Sequence, residues 1–206
     1  LAMAVLMPIV GRWYNALGPR VMVGAGLAVS AFSFFQLSHL TVDVGYWDLF
    51  WPQLWQGVGF ALIFVALSTA ALAAIEKPKM TAAAGLYNVV RQVFGSVGIA
   101  LAATQLTSGT NTYRAHLVEK LTPGNPITRG WMQGVTAGMQ AAGADAYTAS
   151  RRALALLDGD VMRQAAVLAY NHVFVLVAIL FSLSLPLVLL LRAAKATGEP
   201  MEIIAD

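Results

Sequence analysis

Asn88, Arg91 and Gln92 are the residues of this sequence best placed to do chemistry. Spacings of three and four put them, with Gly95 and Ser96, along one side of a helix. The surrounding stretch is apolar, and a charge inside such a span costs at least about 2.5 kcal/mol at a bilayer centre. An arginine cannot shed its proton to escape that cost. Arg91 therefore faces a water-filled cavity or a partner, or it sits at the membrane rim and snorkels to the headgroups. Both readings stay open on the sequence. Gln56, which opens Gln56-Gly57-Val58-Gly59 in another apolar stretch, reads equally as interhelical glue and as a substrate contact. Gly57, Gly59, Gly95, Ser96 and Gly98 suit close helix packing.

Other chemistries are poorly supported. All ten acidic residues fall in loops, at segment ends or in the tail, so the spans hold no carboxylate to carry a proton. His39, His116 and His172 lie in separate segments, and there is no cysteine, so neither a metal cluster nor a disulfide is expected. The sequence holds no Ser–His–Asp pattern, no metalloprotease motif and no phosphate loop. Neither an enzyme nor a cofactor is expected. A net charge of +3, with no basic run longer than Arg151-Arg152, argues against nucleic acid as a partner.

The elements that must position these groups are membrane helices. The chain is 58% hydrophobic and 11% charged, against about 25% charge in soluble domains. Its 206 residues hold four or five crossings at about 20 residues each. Residues 1–7 read as the end of a helix whose beginning is missing, closed by Pro8 and a polar turn over 11–20. Full spans are expected at Val21–Leu40, Pro52–Ile75, Ala82–Leu106 and Val173–Leu191, with Pro186 kinking the last. The organisation expected is all-α and polytopic: helices over 1–106, a long loop over 107–160, a last helix over 161–192 and a tail over 193–206. Short amphipathic helices are expected in the long loop, one of them from Ala146 to Leu157, with 122–145 irregular. Lys and Arg at 11–20, 76–81 and after Leu191 place those segments in the cytoplasm, and 41–50 and 107–160 outside.

Three stretches resemble the EmrB/QacA-type drug:proton antiporters, the 14-helix branch of the major facilitator superfamily. Pro8-Ile-Val-Gly11-Arg12-Trp-Tyr-Asn15-Ala-Leu-Gly18-Pro-Arg20 is similar to a cytoplasmic loop of that family's C-terminal half. Ala82 to Ala100, around Asn88-Val-Val-Arg91-Gln92, resembles its N-x-x-R-Q helix, and Gln164 to Phe174 the entry to its last helix. Asn15 stands where the loop usually has Asp, Ala16 where it has a basic residue, Phe94 where the helix has Gly, and His172 where the family has an acid. The resemblance implies the C-terminal part of a major-facilitator bundle in a bacterial inner membrane. Its implied function is proton-coupled efflux of hydrophobic or cationic compounds. The implied partners are the bilayer, those small molecules, protons, a periplasmic adaptor protein and the missing N-terminal half of the transporter, where the family's proton-carrying carboxylates lie. An exporter of a lipid, siderophore or endogenous antibiotic is the alternative within the class, and a truncated, non-transporting scaffold the alternative outside it.

Overall fold

Within a bilayer each backbone N–H and C=O needs a partner within the protein, which leaves a multi-pass chain the choice of helices or a closed barrel. This chain uses helices. A computed structural model describes residues 2–72, 75, 77–122 and 124–190. Among these residues there are five α-helices: α1 (Ala2–Leu37), α2 (Tyr46–Leu72), α3 (Met80–Lys120), α4 (Pro126–Ala141) and α5 (Ala146–Ser184). Short 3-10 turns lie at Lys77–Lys79 and Pro186–Leu190. Among the described residues, four segments are long and apolar enough to cross a membrane: Leu17–Leu37, Tyr46–Leu72, Met80–Lys120 and Ala146–Val188. The chain is an all-α, polytopic membrane protein.

It divides into two compact units. The first comprises Leu1–Ser33, Gln53–Val93 and Ile179–Asp206, the second Phe34–Pro52 and Phe94–Ala178. In the first, Met22, Val23 and Leu27 of α1 pack with Ala61 and Ala66 of α2 and with Val188. Two glycines set the approach of α1 to α2. A Cβ on Gly59 would lie 2.9 Å from the Gly26 carbonyl oxygen and 3.0 Å from the Ser30 nitrogen, and it would overlap the Ser30 hydroxyl. A Cβ on Gly26 would meet Ile63 at 2.7 Å and the Gly59 oxygen at 2.9 Å. The Gly26-x-x-x-Ser30 spacing is the small-residue ridge that lets membrane helices touch backbone to backbone.

In the second unit Val161, Ala165 and Ala169 of α5 are buried at four-residue spacing. Gly109 of α3 meets Ala169, where an added Cβ would sit 3.3 Å from the Ala169 Cβ. Arg114 pairs with Asp158 at 2.6 Å across the same two helices. The Asn171 amide donates to the Leu40 carbonyl at 2.7 Å, and Arg163 donates to the Val42 carbonyl at 3.0 Å. Side chains from α5 thus hold the loop between α1 and α2.

Several boundaries differ from those the sequence suggests. Helix continues through Pro8 and most of 11–20, and the break is confined to Gly18, at φ 74° and ψ 161°. Pro19 follows, its φ already set for a helix start and its missing N–H no loss there. Helix α2 starts at Tyr46 rather than Pro52, which lies inside it. Stacked and edge-on contacts among Tyr46, Trp47, Phe50 and Trp51, with centroids 5.4–5.9 Å apart, support that added turn. The Gly45 N–H donates to the Asp48 carboxylate at 2.9 Å and caps it. Helix α3 runs 14 residues past the expected end at Leu106, to Lys120.

The stretch 122–145 holds helix α4. Asn125 accepts from the Ile127 N–H and Pro126 occupies the first helical position. Helix α5 passes through Asp158-Gly159 without a break, so the expected short helix and last span are one element. Pro186 opens the 3-10 turn after the helix has ended at Ser184, instead of kinking it. The expected tail 193–206 lies outside the described residues.

The two kinds of glycine give a paired expectation. Gly59→Ala lowers stability by about 1–3 kcal/mol through overpacking, although Ala is the better helix former. Gly95→Ala, whose added Cβ would meet nothing within 4 Å, is neutral or stabilising by up to about 1 kcal/mol. Unfolding of each variant in mixed micelles by SDS titration measures the difference. A second expectation concerns Asp145, the cap of α5. A hydrogen bond from the Thr148 side chain, then one from its backbone N–H at 2.9 Å, hold this carboxyl below the usual carboxylate range. A lowered folded pKa means that the cap contributes fully above the unfolded value, near about 3.9, and is lost as pH falls through the folded one. Protection against hydrogen exchange in the first turn of α5, taken relative to the intrinsic rate at each pH, should fall below about pH 4 in the native chain and stay level in Asp145→Asn.

Candidate functional site

The antiparallel pairing of α2 with α3 in the first unit positions the central residue of the site. Phe64 and Ser68 lie one turn apart on α2, as do Tyr87 and Arg91 on α3. The Ser68 and Tyr87 hydroxyls are 3.4 Å apart, and the Arg91 guanidinium carbon lies 5.0 Å from the centroid of the Phe64 ring. Arg91 thus has an aromatic face as neighbour, a cation–π geometry within the usual 6 Å limit.

Asn88 and Gln92 flank Arg91 on α3 and are exposed. At 3.6 residues per turn, Asn88, Arg91, Gln92, Gly95 and Ser96 fall within one arc of roughly 140°. The opposite arc carries Leu86, Val89, Val93, Phe94, Val97 and Leu101, and all six are exposed. Among the described residues α3 contributes none to a core. An arc bearing a guanidinium and two amides is unsuited to hydrocarbon, whereas the opposite arc suits it.

The structure does not bring the other candidates to this point. Gln56 is half-buried on α2, eight residues before Phe64 and so about 12 Å along the axis from it. Gly59 lies at the crossing with α1, and Gly57 is two residues before it. An added Cβ at Gly95 or Gly98 would meet nothing within 4 Å. Of the loop motif, Gly11, Gly18 and Arg20 are placed within or beside α1, Gly11 and Arg20 being exposed. The side chains of Pro8, Arg12 and Asn15 lie outside the description. Phe64 and Gly26 were not foreseen. Gly26 carries a signal in its spacing to Ser30, but nothing in the sequence marks Phe64 apart from any other apolar residue of α2.

No family model matches the chain. It is 26% identical over 198 residues to the fatty acid resistance protein FarB of Neisseria gonorrhoeae, covering 94% of this chain and 36% of FarB. It is 29% identical over 161 residues to the colistin resistance protein EmrB of Acinetobacter baumannii, 78% of this chain and 31% of that one. Similarity to the multidrug export protein EmrB of Escherichia coli K12 is 31% over 124 residues, 59% of this chain and 24% of EmrB. The chain is thus similar to EmrB-type transporters. It spans between about a quarter and about a third of the length of these relatives.

The Arg91–Phe64 contact is testable in isolation. A double-mutant cycle with Arg91→Met and Phe64→Leu should return a favourable coupling of about 0.5–2 kcal/mol, read from SDS-titration unfolding. A coupling indistinguishable from zero would remove the ring from the account of the site.

Proposed function

We propose that this chain is part of a proton-coupled multidrug exporter of the bacterial inner membrane, and that the polar arc of α3 lines its substrate path. One observation carries the reading. A helix of this EmrB-like chain presents Asn88, Arg91 and Gln92 on one side and bulky apolar residues on the other, with no residue buried among those described. In a bilayer, the apolar side meets lipid and the polar side meets water, substrate or the rest of the transporter. Hydrophobic or cationic small molecules are the substrates, and protons supply the driving force. Residues 11–20 and 76–81 face the cytoplasm by their basic residues, and the α1–α2 loop and α4 face outward. The outward helices are the part of this chain available to a periplasmic adaptor.

The similarity to FarB, over 94% of this chain, supports a second reading within the class. FarB is named for fatty acid resistance, so the exported compound would be a lipid-like amphiphile.

The test uses the full-length gene in an efflux-deficient strain, with drugs and long-chain fatty acids as challenges. Arg91→Lys and Arg91→Ala are expected to insert and accumulate normally while losing at least about tenfold in efflux, because Lys keeps the charge but not the planar fork. Val97→Ala, on the apolar arc, is expected to leave efflux unchanged. Normal efflux by Arg91→Lys would make Arg91 an interfacial anchor and end its place in the pathway.

A further inference from the structure

A half-open cavity of about 450 Å3 lies in the second unit, between the end of α1, the loop that follows it and the start of α2. Its walls combine a carboxylate with open aromatic faces. Asp48 is exposed, and its Oδ2 accepts from the Gly45 N–H at 2.9 Å, while Oδ1 has no partner among the described residues. Trp47 and Trp51, 63% and 51% exposed, line the same space. Phe50 meets both rings edge-on at 5.4 and 5.6 Å and steadies them.

His39 adds an acceptor. The Phe35 carbonyl can only accept, so in a neutral His39 the proton sits on Nδ1, 2.9 Å from that oxygen, and Nε2 is left to accept. Thr41 and the two indole N–H groups are the side-chain donors of this lining. Among the described residues no Lys or Arg lines the cavity, and the loop 41–50 carries Asp43 and Asp48 without a basic residue.

A carboxylate and indole faces both attract a cation. A bare metal ion is poorly served, since it needs several oxygen ligands and one carboxylate is present. Oxygen and imidazole acceptors favour a cation with N–H bonds over a fully methylated one. The indole N–H and hydroxyl donors suit an anion attached to that cation. The cavity lies where the apolar segments Leu17–Leu37 and Tyr46–Leu72 end and begin, the height of lipid headgroups in a bilayer. Tryptophans at that height are ordinary membrane anchors; a carboxylate oxygen left open beside them is not needed for anchoring.

We propose that this cavity holds the headgroup of a lipid bearing a primary ammonium, of the phosphatidylethanolamine class. The ammonium pairs with Asp48 against the Trp47 and Trp51 rings, and the phosphate takes the indole and Thr41 donors. The site stands apart from the polar arc of α3. It depends neither on the transport reading nor on which leaflet the loop meets.

The chain has no cysteine, so one introduced thiol reports on the cavity. The full chain carrying Val44→Cys, at a lining position, is placed in phosphatidylcholine nanodiscs and reacted with N-ethylmaleimide, read by mass spectrometry. Replacing part of the lipid by phosphatidylethanolamine is expected to slow labelling at least about fivefold, because only its ammonium donates charge-assisted hydrogen bonds. The same fraction of phosphatidylglycerol is expected to leave the rate unchanged, as is soluble phosphoethanolamine, the headgroup without its membrane. Labelling of Ala137→Cys, on α4 and outside the cavity, should not respond to the lipid. Adding Asp48→Asn, which keeps an oxygen for the Gly45 N–H but loses the charge, should abolish the slowing, with circular dichroism confirming helix content. No slowing by phosphatidylethanolamine, equal slowing by phosphatidylglycerol or at position 137, protection by soluble phosphoethanolamine, or indifference to Asp48→Asn would each overturn the proposal. Were Asp48→Asn to unfold, the lipid comparison in Val44→Cys decides on its own.

Discussion

Hydrocarbon offers the backbone no hydrogen bonds, and helix formation satisfies nearly all of that demand within each segment. What remains is at the helix ends, where four N–H and four C=O groups lack intrahelical partners. This chain answers at its polar turns with short side chains: Asp48 to the Gly45 N–H, Asn125 to Ile127 and Asp145 to Thr148. Once the helices are closed, water can no longer drive them together, because lipid tails are as apolar as leucine. Contact then depends on how near two backbones can come. Gly26 against Gly59 is such an approach in the first unit, and the core of Met22, Leu27 and Ala61 lies beside it.

The same solvent logic bears on Arg91. A cation–π contact contributes up to about 2 kcal/mol when desolvated, while a charge at the bilayer centre costs at least about 2.5 kcal/mol and by some measures far more. The Phe64 ring therefore offsets only part of the cost. The remainder has to come from water or from groups beyond α2, which fits the exposure of Asn88 and Gln92 alongside it. The ring positions the guanidinium; it does not neutralise it.

Much of this architecture is legible in the sequence because apolar run length is such a direct signal. All four spans and the polar side of α3 follow from hydropathy and three-to-four spacing. The ends of the long helices are not legible in this way. Residues 107–120 are polar enough to read as loop, and what keeps them helical is distant in sequence: Ala169 against Gly109, and Asp158 against Arg114. Helix α4 was hidden for a related reason. Its glycines and Pro126 argue against helix one by one, yet Pro126 occupies the single position where proline favours a start. The partner of Arg91 was hidden by register, since only the α2–α3 pairing selects Phe64 from a run of apolar residues.

The break at Gly18 has a consequence that concerns handedness rather than polarity. Nothing lies within 4 Å of the space a side chain would take there, so crowding does not demand glycine. The demand comes from φ 74° with ψ 161°, a backbone region nearly closed to L-residues. Its mirror image lies at the border of the extended region, which L-residues reach far more readily. A D-alanine introduced at this position by semisynthesis would leave the break intact, while its L-enantiomer, identical in size and hydrophobicity, would strain it. The corner of α1 is thus written in stereochemistry, and no scale of residue polarity contains it.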